Sequence, residues 1–534
     1  MISRNPLLLF FCFLLAISCG RQQEREKNFL NDPSLSNDIK LERYLESDSL
    51  MHRAFSNEDI SLLRTFYKNQ NFQPFVLEES SSKSKRDSIF NVLFNRSLAF
   101  GIPQEYLAVN NPKMHAIESD MTKVLMLARM VAIREQGFLD TNGRFKSKLA
   151  KPSMEQLMKL SQCQSLEQAG SMLQSMGPMN NASFRNLSEK IYAFAMKYPH
   201  DTLTLKTKDY SNEAQRTQLA KSVLKNKGYL KQENSSVQTF ETALLTFKLQ
   251  NGLDSTLEIN DYTVEALCES THHKLMRAAL SLEKIRQSKL DFRRLVLINL
   301  PEYCLYFYAN NSLKAKHRIV IGKRSNETPE LNSEINSIVI FPSWKVPASI
   351  VKKEIMPDVR KNKNYLAKHH YIIRGYKDTS RLDVNAINLN SNGYSIIQSP
   401  GRWNSLGVIK FEFINAYSVY VHDTPQKGLF NRAVRSFSHG CMRCESPIEL
   451  GKQLLTYDQE GRNQNSMPPS SIDSLVNKGK QRVITLKTKI PISVGYQTVS
   501  TLRDRLVFYL DIYQRDAKSI QKFAKFEMPK LNNL

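Results

Sequence analysis

"RLVLINLPEYCLYFYANNSLKAKHRIVIG", residues 294–322, changes the rhythm of a 534-residue chain. In this stretch apolar residues alternate or gather in short β-branched and aromatic runs, with Asn-Asn at 310–311 between two of them. The pattern predicts strand, strand, turn and strand. Further strands are expected in "NSIVIFPSW" (336–344), "YSVYVHD" (417–423), "QRVITLK" (481–487) and "RLVFYLDIY" (505–513). Between them, "PASIVKKEIMPDVRKNKNYLAKHH" (347–370) returns to helical spacing. A β-rich domain is therefore expected over 293–516, with a helical insertion at about 345–400 and a tail over 517–534.

Outward toward the N-terminus the period is helical. "TKVLMLARMVAIREQGF" (122–138) repeats apolar residues every three or four positions, and a helical scaffold is expected over 28–212. Residues 213–270 form a smaller unit. "EAQRTQLAKSVLKNKGYL" (213–230) and "QTFETALLTFKLQNGL" (238–253) read as helices ended by Gly228 and Gly252. Asn260 or Asp261 is placed to cap a third helix in "INDYTVEAL" (259–267). The fold class is multidomain α+β.

Composition is ordinary for globular protein, with 41% hydrophobic and 24% charged residues. Lys and Arg number 75 against 51 Asp and Glu, a net charge of +24. Such a surface favours polyanionic partners. Nucleic acid is not the expected one: there is no zinc-finger spacing, no RNP-type aromatic motif and no dense basic block.

"MISRNPLLLFFCFLLAISCG" (1–20) has Arg4 and then 13 residues, Pro6 to Ser18, that are mainly apolar. That run is too short to span a bilayer but fits a signal-peptide core. Ala16 and Ser18 before Cys19 resemble a bacterial lipoprotein box. On that reading residues 1–19 are a leader ending at the lipidated Cys19, and the protein is exported, periplasmic and tethered to a membrane by its N-terminus. An ordinary cleaved signal and an uncleaved anchor are the alternatives. Setting aside Cys12 and Cys19, the seven cysteines leave Cys163, Cys268, Cys304, Cys441 and Cys444. Five is odd, so an oxidising compartment would leave a thiol unpaired.

"SFSHGCMRCES" (436–446) suggests which one. A cysteine nucleophile needs a base, a group orienting that base, and donors for an oxyanion. His422 ends a predicted strand in "VYVHDTP" (419–425), and the 19 residues to Cys441 suffice for the chain to fold back. Rival readings are a zinc site made by His422, His439, Cys441 and Cys444, and a Cys441–Cys444 disulfide. The two-residue His439–Cys441 spacing is shorter than usual zinc-ligand loops, and no metal or cofactor is expected.

"HDTPQKGLFNRAVRSFSHGCMR" (422–443) resembles the signature of the L,D-transpeptidase (YkuD-like) catalytic domain. "FPSWKVPASIVKKEIMP", "NSLGVIKFEF" and "DIYQRD" are similar to its large, lidded YcbB-like branch, and residues 213–270 resemble the three-helix peptidoglycan-binding module. They depart from it in "DSTLEIND", which lacks the usual glycine turn. The resemblance implies that Cys441 is the nucleophile and His422 the base, oriented by the backbone carbonyl of Asp423. It places His439, Gly440 and Cys441 at the oxyanion hole and Arg443 on a substrate carboxylate. Trp344 and Trp403 would approach substrate beneath a lid formed by the insertion. Implied partners are peptidoglycan stem peptides and glycan, with carbapenems as covalent inhibitors. The same site could instead hydrolyse its acyl-enzyme or attach a protein to the wall, and a non-catalytic wall-binding scaffold is the remaining alternative.

Overall fold

The computed structural model describes residues 28–76, 81–107, 114–178, 181–233, 236–374, 395–459 and 467–524. The leader with Cys19 lies outside them. No helix among the described residues is long and apolar enough to cross a membrane.

The strands are β1 (Arg294–Asn299), β2 (Cys304–Ala309), β3 (Ser312–Gly322), β4 (Leu331–Ile340), β5 (Trp344–Lys345), β6 (Tyr371–Arg374), β7 (Ser395–Gln398), β8 (Ile409–Phe413), β9 (Val421–His422), β10 (Ser436–Ser438), β11 (Met442–Cys444), β12 (Arg482–Gly495), β13 (Val499–Leu502) and β14 (Arg505–Phe508). The β2–β3 turn is Asn310-Asn311, both with positive φ (51° and 55°), as the two-residue loop of a twisted hairpin requires. Neighbour order runs β3, β11, β9, β8, β4, β12, β1, β2, and β2 pairs back with β3. The sheet thus closes on itself and leaves no free edge along this circuit. The ladder of β12 on β4 breaks between Thr485 and Ile490, where the buried Asp458 carboxylate accepts the freed N–H groups of Lys487 (3.0 Å) and Thr488 (2.7 Å).

The insertion has its own three-stranded sheet, ordered β5, β7, β6, and a small core of Val346, Val351, Ile355, Met356, Val359, Ile373 and Ile396. Its main helix runs through Ala348–Lys361 with a π-turn at Val351–Ile355. Pro357 explains the turn. It has no N–H, and its ring would clash with the Lys353 carbonyl, so the ladder slips by one residue just ahead of it.

N-terminal helices pack around Ala116–Gln136, which is buried along most of its length. Its Asp120 is inside the domain and accepts from Tyr67 Oη (2.8 Å) and the Phe75 N–H (2.9 Å). Arg134, also buried, donates to the carbonyls of Phe100 and Leu173, each at 2.8 Å. Buried polar groups satisfied in this way hold a helical core in one arrangement.

Helices Glu213–Asn226, Val237–Gln250 and Asp261–Cys268 pack together, and Asn260 caps the third through the Thr263 N–H (3.0 Å). The loop that lacks the glycine turn is held from inside. The Lys248 ammonium, fully buried, donates to the carbonyls of Thr256 (2.7 Å) and Glu258 (2.8 Å) and pairs with Asp254 (2.7 Å).

At the C-terminus the structure draws the boundary differently from the sequence. Residues beyond 517 were expected to be a tail, but Arg515–Ala524 is a helix whose Phe523 is fully buried. Val499, Leu506, Phe508 and Phe523 join the core of the N-terminal helices rather than that of the sheet. The reason is amphipathicity: Phe523 stacks on Phe145 (centroids 4.3 Å apart) while Lys518, Gln521 and Lys522 face water, and the buried Asp516 of the same helix pairs with Lys284 (2.9 Å).

Candidate active site

The site is built by two neighbouring two- and three-residue strands. β9 and β11 run parallel, with Val421 opposite Met442 and His422 opposite Arg443. Side chains alternate faces along a strand. Val421, Met442 and Cys444 therefore enter the barrel core, all three with no exposed surface. Tyr420, His422, Cys441 and Arg443 share the opposite face, joined by Lys410 of β8, which pairs with His422.

His422 is buried, and its Nδ1 lies 2.5 Å from the Asp423 carbonyl oxygen. That bond assigns the ring proton to Nδ1 and leaves Nε2 as the basic atom. Burial, helped by the charge of Arg443, lowers the imidazole pKa to about 3, against the opposing pull of the Asp423 and Leu406 carbonyls. At neutral pH the ring is uncharged and able to accept a proton.

The Asp423 carboxylate has a separate task. It accepts from the Val408 N–H (2.9 Å) and pairs with Lys427 (2.6 Å), pinning the 404–408 loop to the histidine strand. A side chain at Gly407 would meet that carboxylate at 2.3 Å, and its φ of 61° is left-handed, so this position requires glycine.

Burial raises the Cys441 thiol pKa, opposed by hydrogen bonds from Tyr420 and by the charges of Lys410 and Arg443. The Tyr420 hydroxyl lies between the Cys441 sulfur and the Trp344 indole. A resting thiol with a neutral histidine on the same face suits proton transfer during attack rather than a preformed ion pair.

Residues 293–470 match YkuD, the L,D-transpeptidase catalytic domain. This part of the chain belongs to the L,D-transpeptidase family. Over 244 residues the chain is also 27% identical to a Haemophilus influenzae protein named "Putative L,D-transpeptidase". The aligned stretch is 45% of this chain and 48% of that protein, so the chain spans about half the length of the curated relative it matches.

Within the L,D-transpeptidase domain, the loop before Cys441 is held by hydroxyls. Ser438 Oγ donates to the Cys441 carbonyl (2.6 Å) and accepts from the Gly440 N–H (3.2 Å). Thr328 Oγ1 donates to the Gly440 carbonyl (2.8 Å). The Gly440 N–H is thus engaged by Ser438 in this structure. The Cys441 N–H has no acceptor among the described residues.

His439 reaches into the insertion, where Nε2 lies 2.5 Å from the Glu354 carboxylate. Glu354 sits in the π-turn that Pro357 imposes. Arg443 bonds Gln426 (2.6 Å), has no acidic partner, and keeps a buried Nε without an acceptor among the described residues.

Trp403 is held by the insertion. It stacks on His370 (4.1 Å between centroids) with half its surface exposed, over Gly401, where a side chain would collide with the indole. Cys444 lies on the far side of its strand from Cys441, so neither the disulfide nor the four-ligand zinc set can assemble.

Sequence reading missed Tyr420, Gly407, Ser438 and Glu354. Period two would have found Tyr420, two residues before His422 on the same face. Nothing in the local sequence marks Gly407 or Glu354, whose partners come from distant segments.

Proposed function

We propose that the protein is a peptidoglycan L,D-transpeptidase in which Cys441 attacks the carbonyl of the third residue of a tetrapeptide stem. His422 Nε2 takes the thiol proton and passes it to the departing D-alanine amine. The Cys441 N–H and the Tyr420 hydroxyl are the donors facing the developing oxyanion, which is where fixed dipoles contribute most to rate. Arg443 holds a donor carboxylate. The diaminopimelate amine of a second stem then loses its proton to His422 and attacks the thioester, giving a 3→3 cross-link and regenerating the thiol.

The observation that carries the reading is the gathering of Cys441, His422, Tyr420 and Arg443 on one face of β9 and β11, within a stretch matched to this family. The insertion acts as a lid, with Trp344 on Tyr420 and Glu354 on His439, and it excludes water that would otherwise hydrolyse the thioester. Its exposed Lys352, Lys353, Arg360, Lys361 and Lys363 suit an acidic wall polymer. Lipidation at Cys19 would place the enzyme at a membrane facing that polymer.

The test is mass spectrometry of the full-length protein incubated with disaccharide-tetrapeptide. A cross-linked dimer short of one D-alanine, absent with Cys441→Ala, is expected, together with Cys441 labelled by a carbapenem. Tripeptide monomer alone would make the enzyme a carboxypeptidase. Neither product nor label would end the catalytic reading.

A further inference from the structure

Lysine is rarely buried unless something holds its charge. Lys410 of β8 keeps only 15% of its side chain exposed, although Glu412, its ion-pair partner two residues along the same strand (2.6 Å), is 43% exposed. A lysine that needed only this partner could reach it from water, since long basic side chains keep their heads solvated where they can. Instead the ammonium lies over the Tyr420 ring, with Nζ 4.8 Å from its centroid.

Three strands fix it there. Register sets Lys410 opposite Val339 of β4 on one side and opposite His422 of β9 on the other. Glu412 stands opposite Ser337 of β4, whose hydroxyl donates to its second carboxylate oxygen (3.1 Å). The carboxylate is therefore anchored at both oxygens and holds the ammonium in place.

Tyr420 is constrained as well. Its ring is inclined at 66° to that of His422, with centroids 5.7 Å apart. Its oxygen meets both the Trp344 indole and the Cys441 sulfur. An indole N–H can only donate, so the phenol accepts from Trp344 and directs its one proton at the sulfur. A cation over the negative face of an aromatic ring draws electron density from it. Here that makes the O–H a stronger donor, and the bond from Trp344 acts in the same direction.

The charged and titratable groups of this face are Lys410 and Glu412 of β8, His422 of β9, and Cys441 and Arg443 beside and on β11. The charge of Lys410 works against a protonated His422. It therefore gives the base no help, and its benefit falls on the sulfur and on the oxygen that becomes negative after attack.

We propose that Lys410 is a positioning residue that acts through Tyr420: its ammonium, fixed by Glu412 over the phenol ring, strengthens the hydroxyl's donation to the Cys441 thiolate and to the oxyanion formed from the stem carbonyl. The proposal rests on the catalytic reading above and adds to it a residue from outside the cysteine and histidine segments.

The experiment compares full-length Lys410→Met, Lys410→Arg, Tyr420→Phe and the Lys410→Met/Tyr420→Phe double variant, each checked by thermal melt. Two readouts are taken: kcat and KM with disaccharide-tetrapeptide, and the pH midpoint of iodoacetamide labelling at Cys441. Lys410→Met is expected to lower kcat about fivefold or more with KM nearly unchanged, and to move the labelling midpoint to higher pH. Lys410→Arg, which keeps a cation over the ring, is expected to recover most of both. In the Tyr420→Phe background the same Lys410→Met change is expected to cost less than about twofold, because the hydroxyl it acts through is gone. An unmoved kcat and midpoint in Lys410→Met, no recovery by Lys410→Arg, or a full loss persisting without the hydroxyl would each overturn the proposal. Labelling needs no turnover. A shifted midpoint without product from the unmodified chain would sink the catalytic reading and leave the Lys410–Tyr420 coupling standing, and product with an unmoved midpoint would do the opposite.

Discussion

Cys441 and Cys444 stand three residues apart on the same segment and live in different chemical worlds. Cys444 is sealed in the barrel core, and burial drives its thiol up to about 12. Cys441 is also pushed up by burial, but it meets a phenol, an ammonium and a guanidinium that favour the thiolate. The pleat alone separates them. One face of β9 and β11 is dry and apolar, and the other carries all the polar chemistry of the site. Three residues of one segment can therefore carry one thiol among polar groups and another sealed in the core.

The sharpest way to break this contrast is to exchange the roles. Cys441→Ala should abolish acyl transfer, by about 10³-fold or more, whereas Cys444→Val should keep activity within a few fold; product formation from disaccharide-tetrapeptide measures both. Next comes His422→Gln, which removes the base but fills the space, with an expected loss of about 10²–10⁴-fold in kcat.

Tyr420→Phe deletes the hydroxyl between the sulfur and Trp344. A hydrogen bond to a charged acceptor is worth about 1.5–3 kcal/mol, so a fall of roughly 10–100-fold is expected. The pH profile of iodoacetamide labelling at Cys441 should also move to higher pH.

The buried imidazole also leaves a mark on stability. Its folded pKa, about 3, lies below that of an exposed histidine, so the unfolded chain binds the extra proton first as pH falls. Its contribution is fully present above about pH 6.5, declines through the interval down to about pH 3, and is lost below that. Denaturant melts across this window should show the acid-side slope flatten in His422→Gln. An unchanged slope would mean that the imidazole is solvated.

The smallest effect is expected from Glu354→Gln. Its pair with His439 is partly exposed, and such pairs contribute about 0–1 kcal/mol. Labelling of Cys441 should quicken no more than about fivefold if the insertion is a lid held by this contact.

Much of this architecture was legible in the sequence, for physical reasons that differ from place to place. The Asn-Asn turn and the strands around it could be read because two adjacent positive-φ residues suit few structures other than a hairpin. His422 and Cys441 could be paired because each sits where a strand meets a loop. The lengths of β9 and β12 could not be read, since β12 continues through a bulge whose freed N–H groups are taken by the distant Asp458. The role of the final residues was hidden for a similar reason: Phe523 reads as a tail residue until the helices that receive it are in place.

The last helix has a consequence in time. The helical domain begins near residue 30, yet one wall of its core is Phe523, stacked on Phe145 and close to Tyr106. Synthesis at about 5–20 residues per second puts roughly 25–100 s between making those two ends. For that interval the first domain has most of its helices and lacks its closing wall, and an apolar seam faces water. A product stalled before Phe523 would therefore carry an open core in its first domain.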